Sequence, residues 1–126
     1  MKHSPEVDNS TKVLRVTSSF RFEAAHFLPQ HPGKCKELHG HSYKLEVTIA
    51  GEVNESGMVM DFSEIQAIVD ESIIQRWDHK LLNDSIDNPT AENIALICVE
   101  LLRSRNLPLS SIKLWETEDG WVEVSC

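Results

Sequence analysis

Two stretches of the chain alternate apolar and polar residues with the two-residue period of a half-buried β-strand. In the first, Leu14, Val16, Ser18, Phe20, Phe22 and Ala24 share one parity, while Arg15, Thr17, Arg21 and Glu23 take the other. His26 continues the apolar-side parity. In the second, running to about Ala50, Tyr43, Leu45, Val47 and Ile49 alternate with Ser42, Lys44, Glu46 and Thr48. Strand residues two apart share a face, so extending that register backward puts His39 and His41 on the side of Tyr43. A loop carrying Pro29, Pro32 and Gly33 separates the two strands.

The period then changes. Asn54-Glu55-Ser56-Gly57 is turn chemistry. Asp61, with Glu64 three residues on, has the spacing of a capping box. Phe62, Ile65, Ile68, Val69 and Ile73 make the apolar stripe of a helix ending near Trp77. A polar loop with Asp78, His79, Asn83, Asp84 and Asp87 leads to Asn88-Pro89-Thr90, a helix start because proline tolerates the first turn. Ala91, Ile94, Ala95, Cys98, Leu101 and Leu102 form the stripe of a second helix, which ends before Pro108. Ile112, Leu114 and Glu116 alternate with Lys113 and Trp115 in a third strand. Asp119-Gly120 is a hairpin signal, and Trp121 to Ser125 is the fourth strand. The order ββααββ predicts an α+β fold with a four-stranded antiparallel sheet and two helices on one face. The outer edges of such a sheet must be paired or protected, and oligomerisation through edge strands is the simplest remedy.

Composition adds boundaries. A chain of 126 residues suits one domain, placed here at residues 13–126 behind a polar extension over residues 1–12. That extension lacks the apolar core of a signal peptide. No apolar run approaches the roughly 20 residues of a membrane span. A net charge of −8 argues against a nucleic-acid partner, which needs a basic face. It leaves room for a small phosphorylated ligand held by a few local Lys or Arg residues. Cys35, Cys98 and Cys126 are odd in number and have no framework spacing, which points to a reduced, cytoplasmic protein.

If the first two strands pair antiparallel, the end of one lies beside the start of the other, and His26, His39 and His41 converge. A single histidine is more often a surface residue. Three neutral nitrogen donors with an open fourth position are the arrangement of a catalytic zinc. Cys35 admits two readings. As a fourth ligand it closes the site and makes it structural; as a free thiol flanked by Lys34 and Lys36 it is a base or nucleophile. Spacing leaves the two open. Asp78-His79 is either a solvated pair or a carboxylate orienting a proton-transferring imidazole. Glu116 takes an inward parity, where a half-buried carboxylate costs free energy unless partnered. A ligand's amide-like NH and amino groups would partner it, as would a Lys or Arg. Thr90 is most simply a helix cap, and with Glu116 it is a substrate-binding candidate. Cys98 on a helix stripe and the terminal Cys126 read as inert, and His3 and His31 read as non-ligands.

Six segments occur in an order that is specific as a set: Phe22-Glu23-Ala24-Ala25-His26, Cys35-Lys36-Glu37-Leu38-His39-Gly40-His41, Met60-Asp61-Phe62, Asp78-His79-Lys80-Leu81-Leu82-Asn83, Asn88-Pro89-Thr90-Ala91-Glu92-Asn93 and Trp115-Glu116-Thr117. Over about residues 14 to 125 the chain resembles the 6-pyruvoyl-tetrahydropterin synthase family. The short gap between Cys35 and His39 is similar to its bacterial branch, which forms 6-carboxy-tetrahydropterin in queuosine precursor synthesis. The resemblance implies a tunnelling fold, in which trimers close a barrel and two trimers stack into a homohexamer. It implies zinc on His26, His39 and His41, a free catalytic Cys35, a proton-transfer pair Asp78 and His79 acting across a subunit interface, and a pterin anchored by Glu116. The implied substrate is 7,8-dihydroneopterin triphosphate, converted to 6-carboxy-tetrahydropterin, acetaldehyde and triphosphate. Within the family the alternatives are triphosphate elimination to the pyruvoyl product and sepiapterin side-chain cleavage. An aldolase-like variant typically carries Glu in place of the cysteine, so Cys35 argues against it. A non-enzymatic alternative is a structural-zinc binding module.

Overall fold

The structure, a computed structural model, describes residues 2–5 and 12–126. The extension expected over residues 1–12 therefore lies largely outside the described residues. Strands β1 (Leu14–His26) and β2 (His39–Gly51) pair antiparallel from end to end, Leu14 facing Gly51 and His26 facing His39. A two-residue strand β3 (Lys80–Leu81) runs parallel to β1 at Ala24 and Ala25. β4 (Leu109–Trp115) pairs with β2, and β5 (Trp121–Ser125) pairs with β4, both antiparallel. The sheet order is β3-β1-β2-β4-β5. The four strands legible in the sequence are thus joined by a fifth, too short to carry a period of its own.

Alternation fixes which face is covered. Phe22, Ala24, Tyr43, Leu45, Val47, Ile49, Ile112 and Leu114 are buried beneath the helices, while Arg21, Glu23 and Ser42 on the other parity are exposed. A one-residue slip of β2 would drive Lys44 and Glu46 into this layer and turn Leu45 and Val47 to solvent. Each apolar side chain buried this way contributes about 1.5–3 kcal/mol, so the register is strongly specified.

The first helix begins at α1 (Phe62–Val69), widens into a π segment (Asp70–Ile74) and closes with α2 (Gln75–Trp77). The Asp61 carboxylate caps it by accepting from the Ser63 backbone N–H at 2.8 Å and the Ser63 hydroxyl at 2.7 Å. Ile65, Val69, Ile73 and Trp77 face the sheet. Phe62, which the stripe places with them, is 59% exposed. It belongs to the first turn and lines a hollow with Leu14, Val16 and Met58 along the unpaired outer edge of β1. Helix α3 (Ala91–Arg103) buries Ile94, Ala95, Cys98, Val99 and Leu102. Its cap is Thr90, whose hydroxyl oxygen accepts from the Asn93 N–H at 3.1 Å, so Pro89 stands just ahead of the cap rather than in the first turn. Among the described residues the sheet does not close on itself, since β5 and most of β1 present open edges.

Candidate metal centre

The pairing of His26 with His39 places both imidazoles at one end of the sheet, and His41 follows two residues along the same face. Ring centroids are 4.5 Å apart for His26 and His39, 5.0 Å for His26 and His41, and 4.8 Å for His39 and His41. One nitrogen from each ring lies within 4.8 Å of the others. His26 is fully buried; His39 and His41 are partly so.

Hydrogen bonds fix the tautomers. His26 Nδ1 lies 2.8 Å from the Pro89 carbonyl oxygen, and His39 Nδ1 lies 2.7 Å from that of Glu37. A carbonyl can only accept, so each Nδ1 carries the proton and each Nε2 keeps its lone pair. Those two Nε2 atoms face each other at 3.0 Å. Two lone pairs at that distance repel unless a cation, a proton or a metal ion, stands between them. A tetrahedral ion with bonds of about 2.0–2.1 Å would space its ligand nitrogens roughly 3.3 Å apart. Carbonyl acceptors on the far nitrogens are also what metal-bound histidines commonly have. The three residues can hold a metal ion, and their donor set suits zinc.

Glu116 follows directly after β4, and its backbone N–H donates to the Gly120 carbonyl across the hairpin at 3.1 Å. Its carboxylate reaches the same corner, with Oε1 3.5 Å from His26 Nε2 and 3.6 Å from His41 Nε2. Among the described residues the carboxylate lies against the imidazole cluster, and no ion pair joins it to a Lys or Arg. Partial burial lowers the His41 pKa; the Glu116 carboxylate opposes that shift, and the two neighbouring imidazoles add to it. Tyr43 forms the floor, with its hydroxyl 3.3 Å from His26 Nδ1. Burial first, then the Glu116 charge, raises its pKa, so the phenol stays protonated.

Cys35 sits in a short 3-10 turn, Lys34–Lys36, and is not part of the donor group. It is a free, partly exposed cysteine. Cys98 is fully buried, and burial raises its pKa, which keeps it a thiol. His31 accepts a local hydrogen bond from the Gly33 N–H at 2.9 Å.

Asp78 and His79 occupy the other side of β1. Asp78 Oδ1 accepts from the Glu23 N–H at 2.9 Å, and Oδ2 lies 3.0 Å from His79 Nδ1. The Glu23 N–H holds the Asp78 carboxyl below its ordinary range, with His79 assisting. The His79 side chain is 78% exposed, and its backbone takes the left-handed φ of 60°. Neither residue bonds to the three imidazoles. An open cleft of about 500 Å³, bordered by Glu23, His41, Ser42, His79 and Lys80, connects the two regions. That volume lies in the range of small-molecule sites.

Sequence reading missed the loop that supports His26. The Asn83 side chain accepts from the Phe27 N–H at 2.9 Å and donates to the Phe27 carbonyl at 2.9 Å. The Asn83 carboxamide sits in a polar loop that reads as solvated, and a backbone carbonyl such as that of Pro89 leaves no mark in a sequence.

The chain is a two-layer α+β domain whose open-edged sheet carries a three-imidazole corner able to hold a metal ion. Within that architecture the assignment is specific. The family profile described as 6-pyruvoyl tetrahydropterin synthase matches residues 15–126, and the chain belongs to that family. A 6-carboxy-5,6,7,8-tetrahydropterin synthase from Synechocystis sp. is 42% identical over 110 residues, covering 81% of this chain and 85% of that one. A dihydroneopterin monophosphate aldolase from Pyrococcus furiosus is 40% identical over 114 residues, covering 87% and 96%. The structure of Caenorhabditis elegans 6-pyruvoyl tetrahydropterin synthase superposes with a TM-score of 0.82 at 24% identity, covering 91% of this chain and 96% of that one, and so shares the fold.

Proposed function

We propose that the protein is a zinc-dependent 6-carboxy-tetrahydropterin synthase that converts 7,8-dihydroneopterin triphosphate and one water to 6-carboxy-5,6,7,8-tetrahydropterin, acetaldehyde and triphosphate, serving 7-deazaguanine (queuosine) precursor synthesis in the cytoplasm. The observation that carries the reading is the convergence of His26, His39 and His41 with Cys35 outside the donor group. That combination favours a reactive centre over a closed structural one. When bound, zinc would supply Lewis-acid polarisation of the substrate's side-chain hydroxyls. Glu116, at the rim of the same corner, would receive the donor edge of the pterin through charge-assisted hydrogen bonds. Thr90 would contribute a hydroxyl proton, since its oxygen already accepts from Asn93. Cys35 would remove a proton from the side-chain carbon. His79, with Asp78 holding its Nδ1–H, would present Nε2 to return or relay protons, and its exposure suits service to a neighbouring copy in a hexamer of two trimers.

Overall similarity does not separate synthase from aldolase, because relatives of both names stand at about equal identity. Cys35 favours the synthase. Incubating the zinc-loaded protein with 7,8-dihydroneopterin triphosphate and identifying products by mass tests the reading. Acetaldehyde with the carboxy product is expected; a pyruvoyl product without acetaldehyde, or an aldol cleavage product, would overturn it. The Cys35→Ala variant is expected to keep metal and fold while turnover falls by about 10²–10⁴. Loss of zinc and unfolding in that variant would instead mark a structural site.

A further inference from the structure

The backbone around His26 is held from both sides. On one side β2 pairs with it residue for residue, His26 facing His39. On the other, β3 supplies only two residues, Lys80 opposite Ala24 and Leu81 opposite Ala25. The ladder then stops one residue short of the histidine. Beyond that point the Asn83 carboxamide takes over, accepting from the Phe27 N–H and donating to the Phe27 carbonyl, each at 2.9 Å. A side-chain amide has the same donor and acceptor as a peptide group. Asn83 thus continues the strand pairing past the end of β3 and brackets His26 between paired residues.

The same loop fixes the ring. Leu82 and Ile86 are buried and anchor it to the core. Asn93 donates its side-chain N–H to the Asn88 carbonyl at 2.8 Å, and the Thr90 N–H donates to that carbonyl at 2.8 Å. This holds the Asn88-Pro89 segment, whose Pro89 carbonyl accepts from His26 Nδ1. On the side away from β2, backbone and ring of this imidazole are therefore both held by a single segment, from Leu82 to Asn93.

We infer that Asn83 is a positioning residue for metal binding: its bidentate amide clamp on Phe27 presets His26 Nε2 towards His39 and His41. The inference rests on the reading of the three histidines as a metal site. A substitution that frees Phe27 lets the end of β1 fray and gives His26 a range of orientations, only some of which aim Nε2 at a shared ion. Outer partners of metal ligands typically matter by about 10–100-fold in metal affinity, and Asn83 acts one bond further back through the backbone.

The test measures zinc affinity by competition with a chromogenic chelator, and the visible spectrum of the cobalt-substituted protein, for wild type, Asn83→Ala, Asn83→Asp and the control Asn54→Ala. Asn54 makes a comparable pair of contacts in a remote turn, accepting from the Ser56 and Met58 N–H groups at 2.8 and 3.2 Å. Expected for Asn83→Ala is a loss of zinc affinity of about 10-fold or more, with altered intensity of the cobalt bands, at a temperature where the metal-free variant is fully folded. Asn83→Asp, which keeps the acceptor but sets a carboxylate oxygen against the Phe27 carbonyl, also falls below wild type. Asn54→Ala loses thermal stability and keeps wild-type affinity and spectrum. Equal affinity and spectrum in wild type and Asn83→Ala would overturn the inference, as would an equal loss of affinity in Asn54→Ala. Absence of stoichiometric zinc or cobalt binding in wild type would instead defeat the reading of the histidines.

Discussion

The two chemical regions of this domain are built in opposite ways. The imidazole corner is assembled inside one chain: two long strands in fixed register, a buried His26, and two carbonyls that settle the tautomers. The Asp78-His79 corner hangs on the far side of β1, with an imidazole 78% exposed, tied to the sheet through Glu23. Its Asp78-His79 bond orients a ring that borders the cleft shared with Glu23 and His41. The contrast teaches that the convergence of the three imidazoles is encoded by strand parity, whereas the position of the outward pair depends on the bonds one loop makes to Glu23. A left-handed φ at His79 fits the same picture, since non-glycine residues adopt it at modest cost when local bonds over-determine the turn.

Removing an imidazole breaks the first region outright. His39→Ala leaves His26 and His41 without the third donor and takes away the lone pair that faces His26 at 3.0 Å. Zinc content of the purified variant is expected to fall towards zero, with an affinity loss beyond the about 10–100-fold typical of outer-shell changes. Turnover should drop at least as far as any loss of a single acid–base group. Metal analysis alongside product assay checks both; a variant that retains one zinc per chain would show that the corner is not the site.

Changes in the second region should spare the metal. His79→Ala is expected to lower turnover by about 10²–10⁴ with zinc stoichiometry unchanged. In Asp78→Asn the amide can donate to Nδ1 and push the ring proton to Nε2, the wrong tautomer for a base, so a loss of kcat with little change in KM is expected. Stability carries a separate signature. The Asp78 carboxyl is depressed in the folded protein, so its contribution is complete above the unfolded value of about 3.9 and disappears as pH falls through the lower folded value. Melting curves of wild type and Asp78→Asn should differ at neutral pH and converge well below about pH 4. A gap that widens on acidification would refute the sign.

The same asymmetry governs what the sequence discloses. Parity along β1 and β2 predicts that His26, His39 and His41 share a face, because a two-residue period is a strong and local signal, and the structure pairs them accordingly. The inward parity of Glu116 comes from the same alternation and the hairpin from the Asp119-Gly120 signal, while the approach of the Glu116 carboxylate to the imidazoles appears only in the structure. What escapes is carried by single groups. β3 has two residues and no period; the π segment at Asp70–Ile74 uses ordinary helix formers. Phe62 continues the helical stripe yet lies over an open strand edge, a tertiary fact that no helical wheel contains. The relation of Asp78-His79 to the metal corner is equally silent, since it depends on where a two-residue strand docks.

The smallest predicted effect lies between the two regions, at Thr90. Its hydroxyl oxygen accepts from the Asn93 N–H at 3.1 Å, closing the first turn of α3 just after the Pro89 carbonyl that holds His26. Loss of such a cap costs about 1 kcal/mol, so Thr90→Ala should melt about 4 °C lower in a domain of this size. If Thr90 also donates to substrate, KM rises in Thr90→Ala and returns in Thr90→Ser, which restores both cap and hydroxyl. A stability loss with KM unmoved would confine Thr90 to the helix and leave Glu116 as the one proposed substrate contact of the pair. The measurement sharpens the comparison because the cap borders the imidazole corner, whereas a change in KM would bring the loop that carries Asn83 and Pro89 into substrate contact.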